Sequence, residues 1–399
     1  MTDNTVHYYN HLLEVTQQAL VRIRKKIYSI GTLRLCWVIL TLTVLYFLWG
    51  YNTGIIIGVI IVGIACFLGM MRIHDRFFAR KSFLEAKISI CKKELQLKRY
   101  DFEGIDTGKE YIDPVHDFSN DLDIFGKKSL FAYLNRSASI IGQQKLVEWI
   151  THPLTDPDKI QNRQQAIQEL SLLTELRIDF LANGMTSRES KTDAQIISEL
   201  SNDSPIYVSK WLRIILPFIP WIFGILILMW IFGVGMGNYI LFLFLACFCY
   251  ATILSGQVSR TQNKLNEGLK SLNTYAELIE QLEKSEFSSS LLQNIRTELH
   301  TDGIPVSSRI KQLGKYLRNL DQRYNAIGFA ILNGFFFWDF KQLAAIEKWI
   351  RNNGKFLPGW IETIARFDAL CSLATFRFNH PEYTFPVLND NDNPEKALI

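Results

Sequence analysis

The sequence predicts an all-α integral membrane protein, with two transmembrane helical hairpins and a helical core on the cytoplasmic side. Three observations carry that expectation. Four long apolar stretches lie in two closely spaced pairs, basic residues gather beside the outer ends of each pair, and the remaining chain repeats apolar residues at helical spacing. No run alternates like a strand until Tyr383 to Leu388.

The first pair is Leu35 to Tyr51 and Gly54 to Met71, separated only by Asn52 and Thr53. The second is Ile214 to Val234 and Tyr239 to Gly256, joined by a Gly-rich turn. Each stretch approaches or falls within the roughly 17 to 25 residues a helix needs to cross about 30 Å of hydrocarbon, and none holds a charge. Arg22, Arg24, Lys25, Lys26 and Arg34 precede the first pair, and Arg72, Arg76, Arg80 and Lys81 follow it. Lys210 and Arg213 precede the second pair, and Arg260 and Lys264 follow. Both connecting turns are uncharged, so the positive-inside bias places both termini and the middle segment in the cytoplasm, with the lipid bilayer as the first partner. A cleaved signal peptide fits poorly, because the first stretch starts at Leu35, lacks a small-residue cleavage site and runs straight into a second span. Ile327 to Phe340 is shorter and holds Asn333 and Asp339, and it reads as a buried core helix of a soluble domain.

Composition excludes little else. A formal charge of +4 over 399 residues is too mild to select nucleic acid, since much of the basic excess flanks the apolar stretches. None of the six cysteines has metal-ligand spacing with another Cys or a His, which reads as reduced structural thiols.

The elements follow in order. Residues 1–34 form a basic amphipathic helix with Leu13, Leu20, Ile23, Ile27 and Ile30 on one stripe, and 35–71 the first hairpin. Residues 72–120 begin as a stalk helix, with Leu84, Ile88, Cys91 and Leu95 in phase, and end as an irregular Gly- and Asp-rich connector. In 121–213, the first part of the core, Ser129 caps a helix toward Arg136 and a second helix covers Ile140 to Ile150 before His152-Pro153 stops it. Thr155 and Asp158, spaced as a capping box with Pro157 in the first turn, open a long helix to about Asn183. Residues 214–256 are the second hairpin. In 257–380, the second part of the core, Ile310, Leu313, Leu317, Leu320 and Tyr324 share a stripe, and Pro358 opens a last helix to about Phe378.

Asp121-Leu-Asp-Ile-Phe-Gly126, Ser129-Leu-Phe-Ala-Tyr-Leu-Asn-Arg136, the run Gly142 to Leu154, Asp156-Pro157 and Arg163-Gln-Gln-Ala-Ile167 occur in an order and spacing that resembles the helical core domain of the MutS mismatch-repair family. The similarity resumes at Phe367-Asp-Ala-Leu370, Ser372-Leu-Ala374 and Tyr383-Thr-x-Pro386, where that family leaves the core for its ATPase domain. With spans before and within the core, the chain is similar to a membrane-anchored, MutS-related bacterial group, which implies the bacterial inner membrane. Trp149, Leu146, Leu134 and Phe131 then read as helix-packing residues, and Gly142 as the site of a close helix crossing. Arg136, Lys145 and Arg163 could be DNA contacts, and solvated helix faces with local ion pairs explain them equally well. Asp368, a carboxylate within an apolar helix face, needs a partner and reads as structural.

The resemblance also implies ATP and Mg for an ATPase domain expected to begin within 381–399 and to be missing from this chain. No G-x-x-x-x-G-K-[ST] occurs: Gly104-Ile-Asp-Thr-Gly108-Lys109 has the wrong spacing and is followed by Glu110, so it reads as a turn and no cofactor is expected here. The family's Phe-x-Glu mismatch wedge has no counterpart, because Asp101-Phe102-Glu103 does not match its spacing. Where MutS proteins extend helices to a DNA clamp, this chain inserts Ile214 to Gly256. Two functions remain open: a membrane-anchored MutS-family core coupling an ATPase to DNA or membrane-proximal partners, and a membrane scaffold or sensor that binds a cytoplasmic protein without nucleic acid. Gly54-x-x-x-Gly58 is compatible with a homodimer through the first hairpin.

Two outcomes are expected from sequence. Mg·ATP should neither raise the melting temperature of the purified chain nor be hydrolysed by it; stabilisation that survives contaminant controls would contradict this. Cysteines placed at Asn52 or Gly237 should react with an impermeant reagent outside the cell, and one at His116 only after permeabilisation; the reverse pattern would refute the topology.

Overall fold

No proline interrupts the first hundred residues, and two long helices result: α1, Asp3–Phe47, and α2, Thr53–Lys98. In the computed structural model, which describes residues 3–50, 53–186, 210–301 and 303–387, these helices pack along one another. Each is a single rod carrying both an apolar stretch and a polar one. Asn52 and everything beyond 387, including most of the segment expected to open an ATPase domain, lie outside the described residues.

Contacts divide the chain into two units: Met1–Arg136 with Leu170–Thr186 and Ser372–Ile399, and Ser137–Glu169 with Ser187–Cys371. In the first unit the expected stripes meet. Leu20 is buried against Leu84 and Ile88, flanked by Leu13 and Ile23. Further along, Tyr9 packs with Ile90, Cys91, Ile178 and Ala182, the last two from α6, Thr174–Met185. In the apolar part, the Trp37 indole N–H donates to the Gly63 carbonyl at 3.1 Å, and a Cβ at Gly63 would lie 2.7 Å from Thr41 Cγ2, so the two backbones approach where only glycine fits. The connector is irregular as expected, and Gly104 and Gly108 both take positive φ in turns. Short α3, Leu130–Leu134, follows with Ser129 as its cap, the Ala132 N–H donating to Ser129 Oγ at 3.2 Å, and it stops before Arg136.

Next come α4, Ile140–Thr151, and α5, Pro157–Leu172. α4 ends at His152-Pro153, as the sequence indicates. The capping box does not form: the Asp158 and Lys159 N–H groups donate to the Asp156 carboxylate, at 3.1 and 3.3 Å, so Asp156 is the cap. The single helix expected to Asn183 is also broken, at Leu173, between α5 and α6. Buried Arg177 holds the break open, donating from Nε to the Leu170 carbonyl at 2.7 Å and from Nη2 to the Ser171 carbonyl at 3.1 Å. Those carbonyls would otherwise be orphaned.

In the second unit the expected third span is not one helix. It divides into α7, Lys210–Ile215, and α8, Ile219–Ile231. Pro217 pushes its predecessor out of helical backbone, and Pro220 sits in the first turn of α8, where its missing N–H costs nothing. Among the described residues three helical stretches are thus long and apolar enough to cross a membrane, in α1, α2 and Gly237–Gly256, while α8 is a shorter apolar helix. Gly237–Gly256 begins α9, Gly237–Lys284, which runs on for 48 residues and packs on α11, Val306–Leu320. Between them lie α10, Ser290–Glu298, and a minimal antiparallel pair, β1 (His300–Thr301) and β2 (Ile304–Pro305), with His300 opposite Pro305.

Ile310, Leu313, Leu317 and Leu320 are buried as expected, but Tyr324 is exposed. The helix tightens to a 3₁₀ turn over Asp321–Tyr324, and the change of pitch swings Tyr324 off the stripe. Ile327 to Phe340 likewise departs from expectation. It is two helices, α12, Ala326–Phe336, and α13, Trp338–Asn353, separated by Phe337 with φ of 51°. α12 packs on apolar α8 and α9 instead of disappearing into a polar-coated core. The last helix, α14, is Leu357–Asn379. The residues from Tyr383 to Val387 form no strand, so the alternation there misleads.

Candidate functional site

A buried polar site of the second unit is built on Asp368. Ser139 caps α4, accepting the Gly142 N–H at 3.1 Å. Asp368 of α14 is fully buried and faces that helix start: Oδ1 accepts the Ala138 N–H at 2.8 Å, and Oδ2 accepts the Ser139 N–H at 2.9 Å and its hydroxyl at 2.6 Å. The carboxylate thus lies at the positive end of α4, where unpaired N–H groups favour an anion. Gly142 makes the approach possible, because a Cβ there would sit 2.0 Å from Asp368 Oδ2. The expectation of a partnered, structural Asp368 is met, and the close crossing expected at Gly142 turns out to be a crossing onto this carboxylate.

Two residues considered as DNA contacts lie in the same unit. Lys145 Nζ bridges Glu148 at 2.6 Å and Glu362 at 2.7 Å. Burial pulls its pKa down, and the two carboxylates more than reverse this, leaving it raised. The Arg163 guanidinium stacks over the Trp149 ring at 3.8 Å, where burial lowers its pKa. The third, Arg136, belongs to the first unit, where it ion-pairs with buried Glu94 through Nε and reaches it again from Nη2 at 3.3 Å. All three cations are committed to partners inside the protein.

Around Glu94 the first unit holds a network that sequence reading missed. Asn379 Nδ2 donates to Glu94 Oε2 at 2.8 Å, and the Tyr9 hydroxyl donates to Asn379 Oδ1 at 3.1 Å. Beside it, the Tyr133 hydroxyl and His380 Nε2 are 2.8 Å apart, and His380 Nδ1 lies 3.1 Å from Glu382. Arg177 Nη1 donates to Thr375 Oγ1 at 2.6 Å. Glu94 sits on the stalk, four residues from the buried Ile90 and one from half-buried Leu95; that intrusion of a carboxylate into an apolar stripe was the available signal. Burial pushes the Cys91 thiol up to about 11, so it is neutral at physiological pH, in keeping with a structural thiol.

A third set of buried charges ties the apolar helices of the second unit to α13. Arg213, just before α8, pairs with buried Glu347 at 2.5 Å, and Arg351 joins at 2.9 Å. Arg323 pairs with Asp339 at 3.6 Å and donates to the Ser255 carbonyl of α9 at 2.9 Å. These carboxylates are spent on holding helices. Among the described residues no three His, Cys, Asp or Glu side chains cluster as metal ligands.

This helical core, with an acidic clamp on a capped helix start and long helices leaving it, is where comparison with known proteins becomes informative. Residues 115–374 match the family description MutS domain III, and the chain belongs to the MutS family. It is similar to the DNA mismatch repair protein MSH3 of Lodderomyces elongisporus, 41% identical over 54 residues, which covers 14% of this chain and 5% of that protein. No solved structure matches. The relationship to DNA mismatch repair therefore holds at the level of the family.

Two outcomes follow from the geometry. Gly142→Ala forces the Asp368 carboxylate off the start of α4, and Asp368→Asn turns a donor toward donors; each is expected to cost about 2 to 4 kcal/mol in denaturant unfolding. Wild-type stability in both variants would remove the clamp. Arg136→Gln, which leaves Glu94 buried without its cation, is expected to cost about 3 to 5 kcal/mol, and Glu94→Gln with Arg136→Gln less than the single change. If Arg136→Gln leaves stability untouched and weakens only DNA binding, the residue is a contact and not a strut.

Proposed function

We propose that this chain is the membrane-anchored helical core of a MutS-related protein, in which the second apolar hairpin transmits the state of the core to the bilayer. One observation carries the reading: α9 is a single helix from its apolar start at Gly237 to Lys284, whose polar half packs on the core helix α11. A rod without a hinge moves at both ends or at neither. The ion pairs of Arg213 and Arg323 to α13 support it further, because each ties an end of the apolar hairpin to the same core helix. On this reading the first hairpin, α1 and α2, is the fixed anchor, both termini are cytoplasmic, and the membrane is the bacterial inner membrane. Nucleotide chemistry would belong to an ATPase domain outside these residues.

Family membership favours a second element, contact with DNA, and here Lys145 and Arg163 are the residues to examine, since Arg136 is the most deeply paired of the three. Anisotropy titrations with homoduplex and mismatched DNA between about 50 and 200 mM salt test it, because released counterions make phosphate contacts steeply salt-dependent. Charge reversal at Lys145 and Arg163 should lower affinity and flatten that slope. No binding by the wild type at low salt would leave the protein-binding scaffold as the reading.

For transmission itself, Ile214 to Gly256 is replaced by a short soluble linker in the gene as the cell carries it, with the first hairpin kept. The variant is expected to stay folded and membrane-bound yet fail to complement a deletion strain. Full complementation would reduce the second hairpin to an anchor.

A further inference from the structure

We infer that α12, Ala326–Phe336, is a membrane-embedded half-helix: a re-entrant segment that enters the acyl layer beside α8 and α9, reverses at Phe337 and leaves as α13. The inference rests on the membrane reading of the second hairpin given above. Sequence alone points the other way, to a helix buried in a soluble core.

Packing comes first. The aromatic rings of α12 meet the apolar hairpin: Phe335 meets Phe223 of α8 at 5.0 Å and Phe244 of α9 at 4.9 Å, and Phe329 meets Phe248 at 5.9 Å. A Cβ at Gly334 would lie 2.1 Å from Phe244 Cε2, so α12 and α9 touch at their closest where only glycine fits. Phe244 stands 12 residues inside α9 from Gly256, or about 18 Å at 1.5 Å per residue, so α12 accompanies α9 well into its apolar stretch.

The exposed side chains of α12 point to lipid. Ile331 is 49% and Phe336 44% exposed, and α8 and α9 themselves expose Ile222, Ile225, Leu241 and Phe242. All three packed helices therefore expose large apolar side chains. A soluble protein avoids exposing large apolar side chains on several packed helices at once, and acyl chains are the partner whose chemistry matches side chains with no polar group to satisfy. No charge lies between Arg323 and Asp339. Eleven residues give about 16 Å of helix, half a hydrocarbon layer, so the segment enters and does not cross.

A reversal at that depth exposes backbone groups that lipid cannot satisfy, and is tolerated only where protein covers them. The structure supplies the cover. Phe337, in left-handed backbone, is buried between Tyr250 and Phe340, and the Asp339 N–H at the start of α13 donates to Asn333 Oδ1 at 3.0 Å. Asn333 and Asp339, the two residues that argue for a soluble core by sequence, are the ones that make the turn possible.

The test uses the full chain in lipid nanodiscs, with the photo-crosslinker benzoylphenylalanine in place of Ile331, Phe336, Phe242 or Lys315, one at a time, and mass spectrometry of the irradiated protein. Phe242 is exposed on the apolar part of α9, and Lys315 is exposed on α11. Lipid adducts are expected at 331 and 336 in yields comparable to 242, with none at 315. Adducts at 242 without any at 331 or 336 overturn the half-helix and leave the membrane reading standing. No adduct at 242 defeats the membrane reading, and this inference with it. Both test positions are surface side chains, and Phe336 is replaced by a close analogue, so correctly folded protein is expected in at least one.

Discussion

A backbone N–H or carbonyl surrounded by apolar side chains has only its own helix to pair with, and this constraint organises the whole chain. It explains why α1, α2 and α9 are so long. Each carries its hydrogen-bond ladder without interruption from an apolar stretch into a polar one, instead of ending at the boundary where orphaned groups would need caps. Where the ladder does break near apolar surroundings, a specific device covers the break: Pro220 in the first turn of α8, Asn333 at the reversal after α12, Arg177 across the gap between α5 and α6.

The buried charges follow the same logic at the level of side chains. Asp368 is held by three donors at a helix start, Glu94 by a guanidinium and an amide, Glu347 by Arg213 and Asp339 by Arg323. A buried carboxylate contributes little net stability over an apolar packing of the same volume, and removing its partner is costly. Its value is that it specifies which helix sits where. In a core with so many similar apolar stripes, these pairs fix one arrangement, and on the proposed reading they also bind the moving elements to each other.

Much of this was legible in the sequence. Period and length revealed the two apolar pairs, and the stripes of Leu20 and Ile310 to Leu320 fell on the buried faces. Ser129 and His152-Pro153 marked real helix ends because capping and proline chemistry are local. Two misses were local: Asp156 outcompeted Thr155 as a cap, and Pro217 and Pro220 divide the third apolar stretch. In others a partner further along the chain overrode local pattern: Arg177 stabilised a break that helical periodicity runs through, and Asn333 and Asp339 looked like markers of a soluble core because their mutual hydrogen bond across Phe337 is invisible in one dimension. Arg136 gave no sign of its partner for the same reason, since Glu94 lies 42 positions away and no spacing rule connects them, whereas Lys145 and Glu148, three residues apart, make the local ion pair that spacing allows.

The central claim is that α9 is one rigid rod from its apolar start into the core, and hydrogen–deuterium exchange of the chain in nanodiscs measures this directly. The account predicts slow exchange without a gap from Tyr239 through Leu282, the 257–274 stretch included, since every N–H there stays in the ladder. A segment within 257–274 that exchanges at the rate of an open chain would contradict it, because a hinge there would uncouple the apolar hairpin from the core.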